Sequence, residues 1–179
     1  MENSKRPAIF VDRDGTLIRE VDHLSDIGEL SIFPFTATAL DLLRAAGYMI
    51  VVVTNQSGIG RGYFDEPSMH LIHDQIKSEL GERIDGFYFC PHLPDAGCRC
   101  RKPSLGMIEA ACLDLGIDLD GSWMIGDKRI DVETGYNAGI ATAMVLTGYG
   151  AGDLGSLERK PDIIAENLLA AAEMIVNGS

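Results

Sequence analysis

Apolar residues fall in short runs that alternate with segments of helical spacing. Residues 8–11 and 48–53 are near-continuous apolar stretches, the pattern of strands buried on both faces of a parallel sheet. Residues 86–89, 122–125 and 140–146 extend the series, and 161–165 reads as a last edge strand. Between them, 36–46 has helical spacing and stops at Gly47, a good left-handed cap. Asp65-Glu66-Pro67 is a helix start, with Asp65 as N-cap and proline in the first turn, and that helix runs to about Leu80 before Gly81. Ser104 reads as the cap of a helix ending near Leu115-Gly116. Residues 130–138 form a short helix before Gly139, and 167–176 a last one. Alternation of this kind predicts one α/β domain over residues 1–179, a Rossmann-like parallel sheet with helices on both faces. Two irregular stretches, 18–34 and 90–103, are longer than usual connections, and such loops tend to carry function. Neither is long enough for a large cap domain, so an open site is expected. The glycine-rich stretch 148–155 reads as a surface loop.

Reactive residue types recur where the predicted strands end. After the first strand come Asp12-Arg13-Asp14-Gly15-Thr16. Ligands of open α/β sheets lie at the carboxyl ends of strands. Two carboxylates there repel unless a cation sits between them or one keeps its proton. Both remedies suit phosphate chemistry, with Mg²⁺ neutralising one acid and the second moving a proton. After the second strand, Thr54-Asn55-Gln56-Ser57-Gly58 offers hydroxyl and amide donors and glycines that let backbone N–H groups approach an anion. Arg101-Lys102-Pro103 places two cations beside a helix breaker. After the strand at 122–125, Gly126-Asp127-Lys128-Arg129-Ile130-Asp131 sets two carboxylates four residues apart, able to reach a common Mg²⁺.

Cys90, His92, Cys98 and Cys100 lie within eleven residues. In a reducing compartment such a cluster marks a metal site rather than a disulfide framework. The four make a Cys₃His set for a structural Zn²⁺ with no open coordination position. Cys112 sits on a predicted helix face and reads as buried.

Charge and length narrow the function. A net charge of −12 opposes binding to nucleic acid or anionic membranes, while a few local cations still admit a small anionic substrate. No apolar run approaches the roughly 20 residues that span a bilayer, and the first residues hold no signal-peptide core. A cytoplasmic protein is expected, and a monomer, since no exposed heptad or charge run suggests a protein partner.

In their order, Asp-x-Asp-Gly-Thr, Thr-Asn, Lys-Pro and Gly-Asp-x-x-x-Asp resemble the four motifs of the haloacid dehalogenase-like superfamily, over about Ala8 to Asp131. The second acid two residues after the first resembles its phosphatases; ion-pumping ATPases carry threonine there. The resemblance implies Asp12 as nucleophile and Asp14 as general acid and base. It implies Thr54 and Lys102 as phosphoryl-stabilising groups. It places Mg²⁺ at Asp12, the backbone carbonyl of Asp14, and Asp127, with Asp131 in support. Cys-Pro-His followed by Cys-x-Cys-Arg-Lys-Pro is similar to the branch that holds the histidinol-phosphate and heptose-bisphosphate phosphatases. The stretch 54–62 and Gly126-Asp127-Lys128 resemble the D-glycero-D-manno-heptose 1,7-bisphosphate 7-phosphatases; the five-residue gap in the zinc loop matches the histidinol-phosphate members instead. The expected substrate is a small phosphorylated sugar on the route to surface polysaccharide. Recognition of it falls, by resemblance, to Glu20, Val21, Asp22, His23, Thr54, Asn55, Gln56, Ser57, Arg101 and Lys128.

Overall fold

In the computed structural model, which describes residues 5–178, strands alternate with helical segments along the chain, two helices following β2. They are β1 (Arg6–Val11), α1 (Thr36–Ala45), β2 (Met49–Asn55), the short α2 (Ser57–Gly60), α3 (Glu66–Leu80), β3 (Gly86–Cys90) and α4 (Gly106–Leu115). Then follow β4 (Ile117–Gly126), α5 (Arg129–Ala138), β5 (Ala141–Val145), the short α6 (Gly150–Asp153), β6 (Ile163–Ala165) and α7 (Leu168–Asn177). The strands form one all-parallel sheet of order β3-β2-β1-β4-β5-β6. The expected architecture is therefore present: a parallel sheet between two helical layers.

Strand periodicity assigns the two faces. Ile9, Val11, Ile50, Val52, Ile125 and Val145 point to the side covered by α1, α3 and α7. Ala8, Phe10, Val51, Val53 and Met124 point to the other, against Met107, Ile108 and Ala111 of α4. Each fully buried Ile or Leu in these layers contributes about 1.5–3 kcal/mol.

The helix starts and stops follow local chemistry. Asp65 Oδ1 accepts the Ser68 N–H at 2.9 Å, as an N-cap should. Gly47 takes φ 96° just past α1. Several boundaries differ from the sequence reading. Thr54 and Asn55 belong to β2, because they pair with Phe89 and Cys90 of β3. The strand expected at 122–125 begins at Ile117, since Ile117 and Asp118 pair with Arg6 and Pro7 before a register shift. Ser104 does not cap α4; its N–H bonds the Arg101 carbonyl, and Leu105 is the N-cap without a side-chain bond. The stretch 148–155 is not a plain loop. It winds into α6 because Gly150 brings the backbone against the Val145 carbonyl, where a Cβ has no room. Cys112 is half-buried at the edge of the α4 layer rather than enclosed. Among the described residues no helix is long and apolar enough to cross a membrane.

Candidate active site

The chain runs outward from β1 to β2 and β3, then returns to β4 on the other side of β1. The strand order reverses between β1 and β4, and open α/β sheets bind ligands at that point. Asp12 leaves the end of β1 and its N–H bonds the Ile125 carbonyl of β4 at 2.9 Å. Asp127 leaves the end of β4. Topology thus brings the two acids face to face across 115 residues of chain, a separation read directly from their numbers.

Carboxylate oxygens of Asp12, Asp127 and Asp131 lie within 4.8 Å of one another, and all three side chains are buried. One ammonium reaches into this cluster. Lys102 Nζ donates to Asp12 Oδ1 at 2.9 Å, to Asp131 Oδ1 at 2.6 Å and to the Val53 carbonyl at 2.9 Å. Burial would lower the Lys102 ammonium, but Asp12 and Asp131 outweigh it and raise its pKa. Burial likewise works to raise Asp12, yet Lys102 and Lys128 hold it below the usual carboxylate value. Asp131 is pushed up to about 6, burial outweighing the pull of Lys102. Asp127, farthest from the lysine, is pushed up to about 8 by burial and then by the charges of Asp12 and Asp131.

That arrangement fits a divalent cation. Asp127 Oδ2 accepts the Tyr149 N–H at 2.9 Å, but its buried Oδ1 has no partner among the described residues. A buried carboxylate oxygen without a donor costs free energy unless something cationic meets it. Gly15 and Gly148 flank Asp127 at φ 79° and 55°, and a Cβ on either would collide with its carboxylate. Only glycine lets the backbone close on this acid. Asp131 is tied down differently. Besides Lys102 it accepts the Lys128 N–H at 3.0 Å.

Asp14 stands apart from the three acids. Its carboxylate accepts from Arg13 and, at 2.9 Å, from Gln56 Nε2. Gln56 Nε2 also reaches Thr54 Oγ1 at 2.9 Å, so the Thr54 hydroxyl accepts there and keeps its own proton to donate. Asn55 pins the backbone of the lysine: Lys102 N–H donates to its Oδ1 at 3.0 Å, and its Nδ2 donates to the Lys102 carbonyl at 3.3 Å. This clamp between β2 and the loop before α4 could not be read from the motif order.

Above these groups opens a cavity of about 380 Å³. Asp12, Asp14, Glu20, Val21, Asp22, His23, Thr54, Asn55, Gln56, Ser57, Arg101, Lys102 and Lys128 all line it. The structure therefore gathers every residue expected to touch substrate. It adds Leu24, Ile130 and Tyr149, which sequence reasoning missed. Tyr149 comes from the stretch taken for a surface loop, and its ring lies 4.8 Å from Lys128 Nζ. Lys128 also meets Glu20 across the cavity at 3.3 Å. Burial works to lower its ammonium, but Asp12, Asp127 and Glu20 outweigh it and raise its pKa. His23 sits in the left-handed region at φ 54°, edge-on to Tyr63 at 4.8 Å. Arg61 does not border the cavity.

The cysteine cluster lies at the other end of the same loop. Cys90 Sγ, Cys98 Sγ, Cys100 Sγ and His92 Nδ1 lie within 4.8 Å of one another, five of their six pairs at 3.1–3.5 Å. All three cysteines are free thiols. Zn²⁺ with Zn–S bonds near 2.3 Å has tetrahedral edges of roughly 3.8 Å, so donors this close suit one small cation with four ligands. The cluster adjoins the cavity: the Arg101 N–H bonds the Cys98 sulfur, and Arg101 Nη1 donates to the His92 carbonyl at 3.3 Å.

Comparison with known proteins gives a consistent picture. The Hydrolase_like family model, HAD-hydrolase-like, matches residues 99–171. The D-glycero-D-manno-heptose-1,7-bisphosphate 7-phosphatase of Thermosynechococcus vestitus is 38% identical, the match covering 95% of each chain. The D-glycero-beta-D-manno-heptose-1,7-bisphosphate 7-phosphatase of Haemophilus ducreyi is 36% identical, over 92% of this chain and 95% of its own. Among solved structures, the D,D-heptose 1,7-bisphosphate phosphatase of B. bronchiseptica, complexed with magnesium and phosphate, superposes with a TM-score of 0.88. It is 32% identical, over 97% of this chain and 99% of that one.

Proposed function

The chain belongs to the D-glycero-D-manno-heptose-1,7-bisphosphate 7-phosphatase family, and on that premise we propose that it hydrolyses the 7-phosphate of this sugar bisphosphate through an aspartyl-phosphate on Asp12. The observation that carries the reading is the buried Asp12–Asp127–Asp131 cluster, bonded by the Lys102 ammonium, under the further positive charge of Lys128, and open to a cation-rimmed cavity. A buried Asp127 oxygen with no donor among the described residues supports a cation there, and the solved relative carries magnesium with phosphate.

Asp12 and Asp127 would hold Mg²⁺, which would supply Lewis-acid neutralisation of the phosphoryl charge. The remaining work falls to the chain. Asp12, kept ionised by Lys102 and Lys128, attacks phosphorus. The bond to the sugar oxygen breaks, and Asp14 gives that oxygen its proton. Thr54 and Lys102 steady the phosphoryl oxygens as charge gathers on them. A water then attacks phosphorus while Asp14 takes its proton, which frees phosphate and restores Asp12. Arg101 and Lys128, which both line the cavity, receive the second phosphate of the substrate. Zn²⁺ on Cys90, His92, Cys98 and Cys100 would hold the loop that carries Arg101 and Lys102. Free thiols clustered for a metal rather than paired in disulfides suit a reducing compartment, which supports a cytoplasmic enzyme, and we assign it as a monomer.

The test is phosphate release, with Mg²⁺ present, from the heptose bisphosphate, histidinol phosphate and 4-nitrophenyl phosphate. The bisphosphate should lead in kcat/KM, and Asp12→Asn should abolish turnover on all three while the circular-dichroism spectrum stays unchanged. Preference for histidinol phosphate, which the short zinc loop resembles, would overturn the substrate. Activity retained by Asp12→Asn would overturn the chemistry.

A further inference from the structure

Arg13, between the two acids of the first motif, is 1% exposed, an unusual place for a guanidinium. Its Nε donates to Asp14 Oδ2 and its Nη2 to Asp14 Oδ1, both at 3.0 Å, so the fork spans the whole carboxylate. Nη1 turns the other way and meets His73 Nε2 at 3.2 Å. Arginine has no acceptor, so the imidazole must accept and carry its proton on Nδ1. His73 lies on α3, 5% exposed, with its ring stacked on Phe87 of β3 at 4.7 Å. Burial, then the charges of Arg13 and His70, push it down to about 3, so it stays neutral. An apolar side chain would fill this volume without the cost of burying a charge. The polar chain needs another reason.

The count of lone pairs supplies one. A carboxylate oxygen accepts about two hydrogen bonds. Asp14 Oδ2 already receives two, from Arg13 Nε and from Gln56 Nε2. Oδ1 receives one, from Arg13 Nη2, and Asp14 borders the cavity. A proton on the remaining site of Oδ1 leaves all three donors in place. We infer that Arg13, seated by His73, is a positioning residue that presents Oδ1 of Asp14 to the leaving oxygen. This rests on the assignment of Asp14 as proton donor given above.

The assay is the first-turnover release of the leaving group, compared between the heptose bisphosphate and 4-nitrophenyl phosphate. The sugar alkoxide needs a proton and the nitrophenolate does not. His73→Leu should slow sugar release about 10-fold or more, part of the 10²–10⁴ that a full general acid supplies, and change nitrophenol release by less than about threefold. KM should hold on both esters. His73→Gln, which keeps an acceptor, should restore most of the sugar rate. Arg13→Lys keeps the charge but cannot span both oxygens, so it should show the same selective loss. That variant and His73→Gln decide the question if His73→Leu fails to fold. Equal losses on both esters in Arg13→Lys or His73→Leu would overturn the brace. Asp14→Asn separates the two readings. If it loses equally on both esters, the proton-donor assignment falls; if it is selective and the brace variants are not, only the brace falls.

Discussion

Replacing Lys102 by methionine keeps an unbranched chain of similar reach and removes only the ammonium. In the folded protein that group is buried and donates to Asp12 Oδ1, Asp131 Oδ1 and the Val53 carbonyl, at 2.6–2.9 Å. The variant leaves two buried carboxylates without their counter-charge. Breaking a buried pair from one side costs about 3–5 kcal/mol, and two carboxylate partners place this change near the upper end. The loss also has a pH signature. Asp131 already stands at about 6 with the lysine present and rises further without it, and Asp12, which the lysine holds down, rises as well. In the unfolded chain both return to about 3.9. The folded variant therefore binds more protons than its unfolded state, and its stability falls as pH rises. The deficit against wild type should be greatest near pH 8 and shrink toward pH 5, where protonated carboxyls need no lysine. Urea unfolding of zinc-loaded, Mg²⁺-free protein at both pH values measures it, from midpoints at unchanged slope. Added Mg²⁺ should recover part of the loss by supplying the missing charge. Turnover should fall by about 10²–10³ or more, because the same ammonium faces the phosphoryl group. A deficit below about 1 kcal/mol at pH 8, or one that grows toward pH 5, would refute the reasoning.

Three further outcomes follow from the site. In Mg²⁺-free protein burial and then the charges of Asp12 and Asp131 push Asp127 up to about 8 from its ordinary value of 3.8, so the stability it lends is complete below about pH 4 and is lost as pH rises through 8. Stabilisation by Mg²⁺, read as a shift in Tm, should grow across that window, and a shift independent of pH between about 5 and 9 counts against the cation site. Protein purified without chelator should hold one zinc per chain; Cys98→Ser should lower that content and, through loosened Arg101 and Lys102, cut kcat/KM by up to about 10²-fold. Metal analysis finding no zinc in the wild type would end that argument. Arg101→Ala should hurt the bisphosphate far more than 4-nitrophenyl phosphate, since only the former uses remote binding energy at the reacting centre, whereas Lys102→Ala should hurt both. Equal losses from Arg101→Ala would assign that residue to the chemistry instead.

What the sequence alone determined is local or periodic. Apolar runs of strand length, Asp65 before a proline and Gly47 after a helical segment each carry their own physical signal, and the elements formed where those signals stood. The order of short motifs marked Asp12, Thr54, Lys102 and Asp127 through their joint resemblance to the haloacid dehalogenase-like superfamily, since each motif by itself also fits an ordinary turn, a helix cap or a solvated surface. Tertiary structure decided everything that depends on which strands become neighbours. The lengthening of β4 back to Ile117 required Arg6 and Pro7 beside it. Tyr149 joined the cavity only because Gly148 and Gly150 fold the end of β5 onto Asp127 and Val145. The fork of Arg13 on Asp14, its seat on His73 sixty residues away, and the clamp of Asn55 on Lys102 leave no periodicity to read. Hydrogen bonds between residues distant in the chain are specified by the packing of the layers that carry them, and that packing exists only once the sheet has closed.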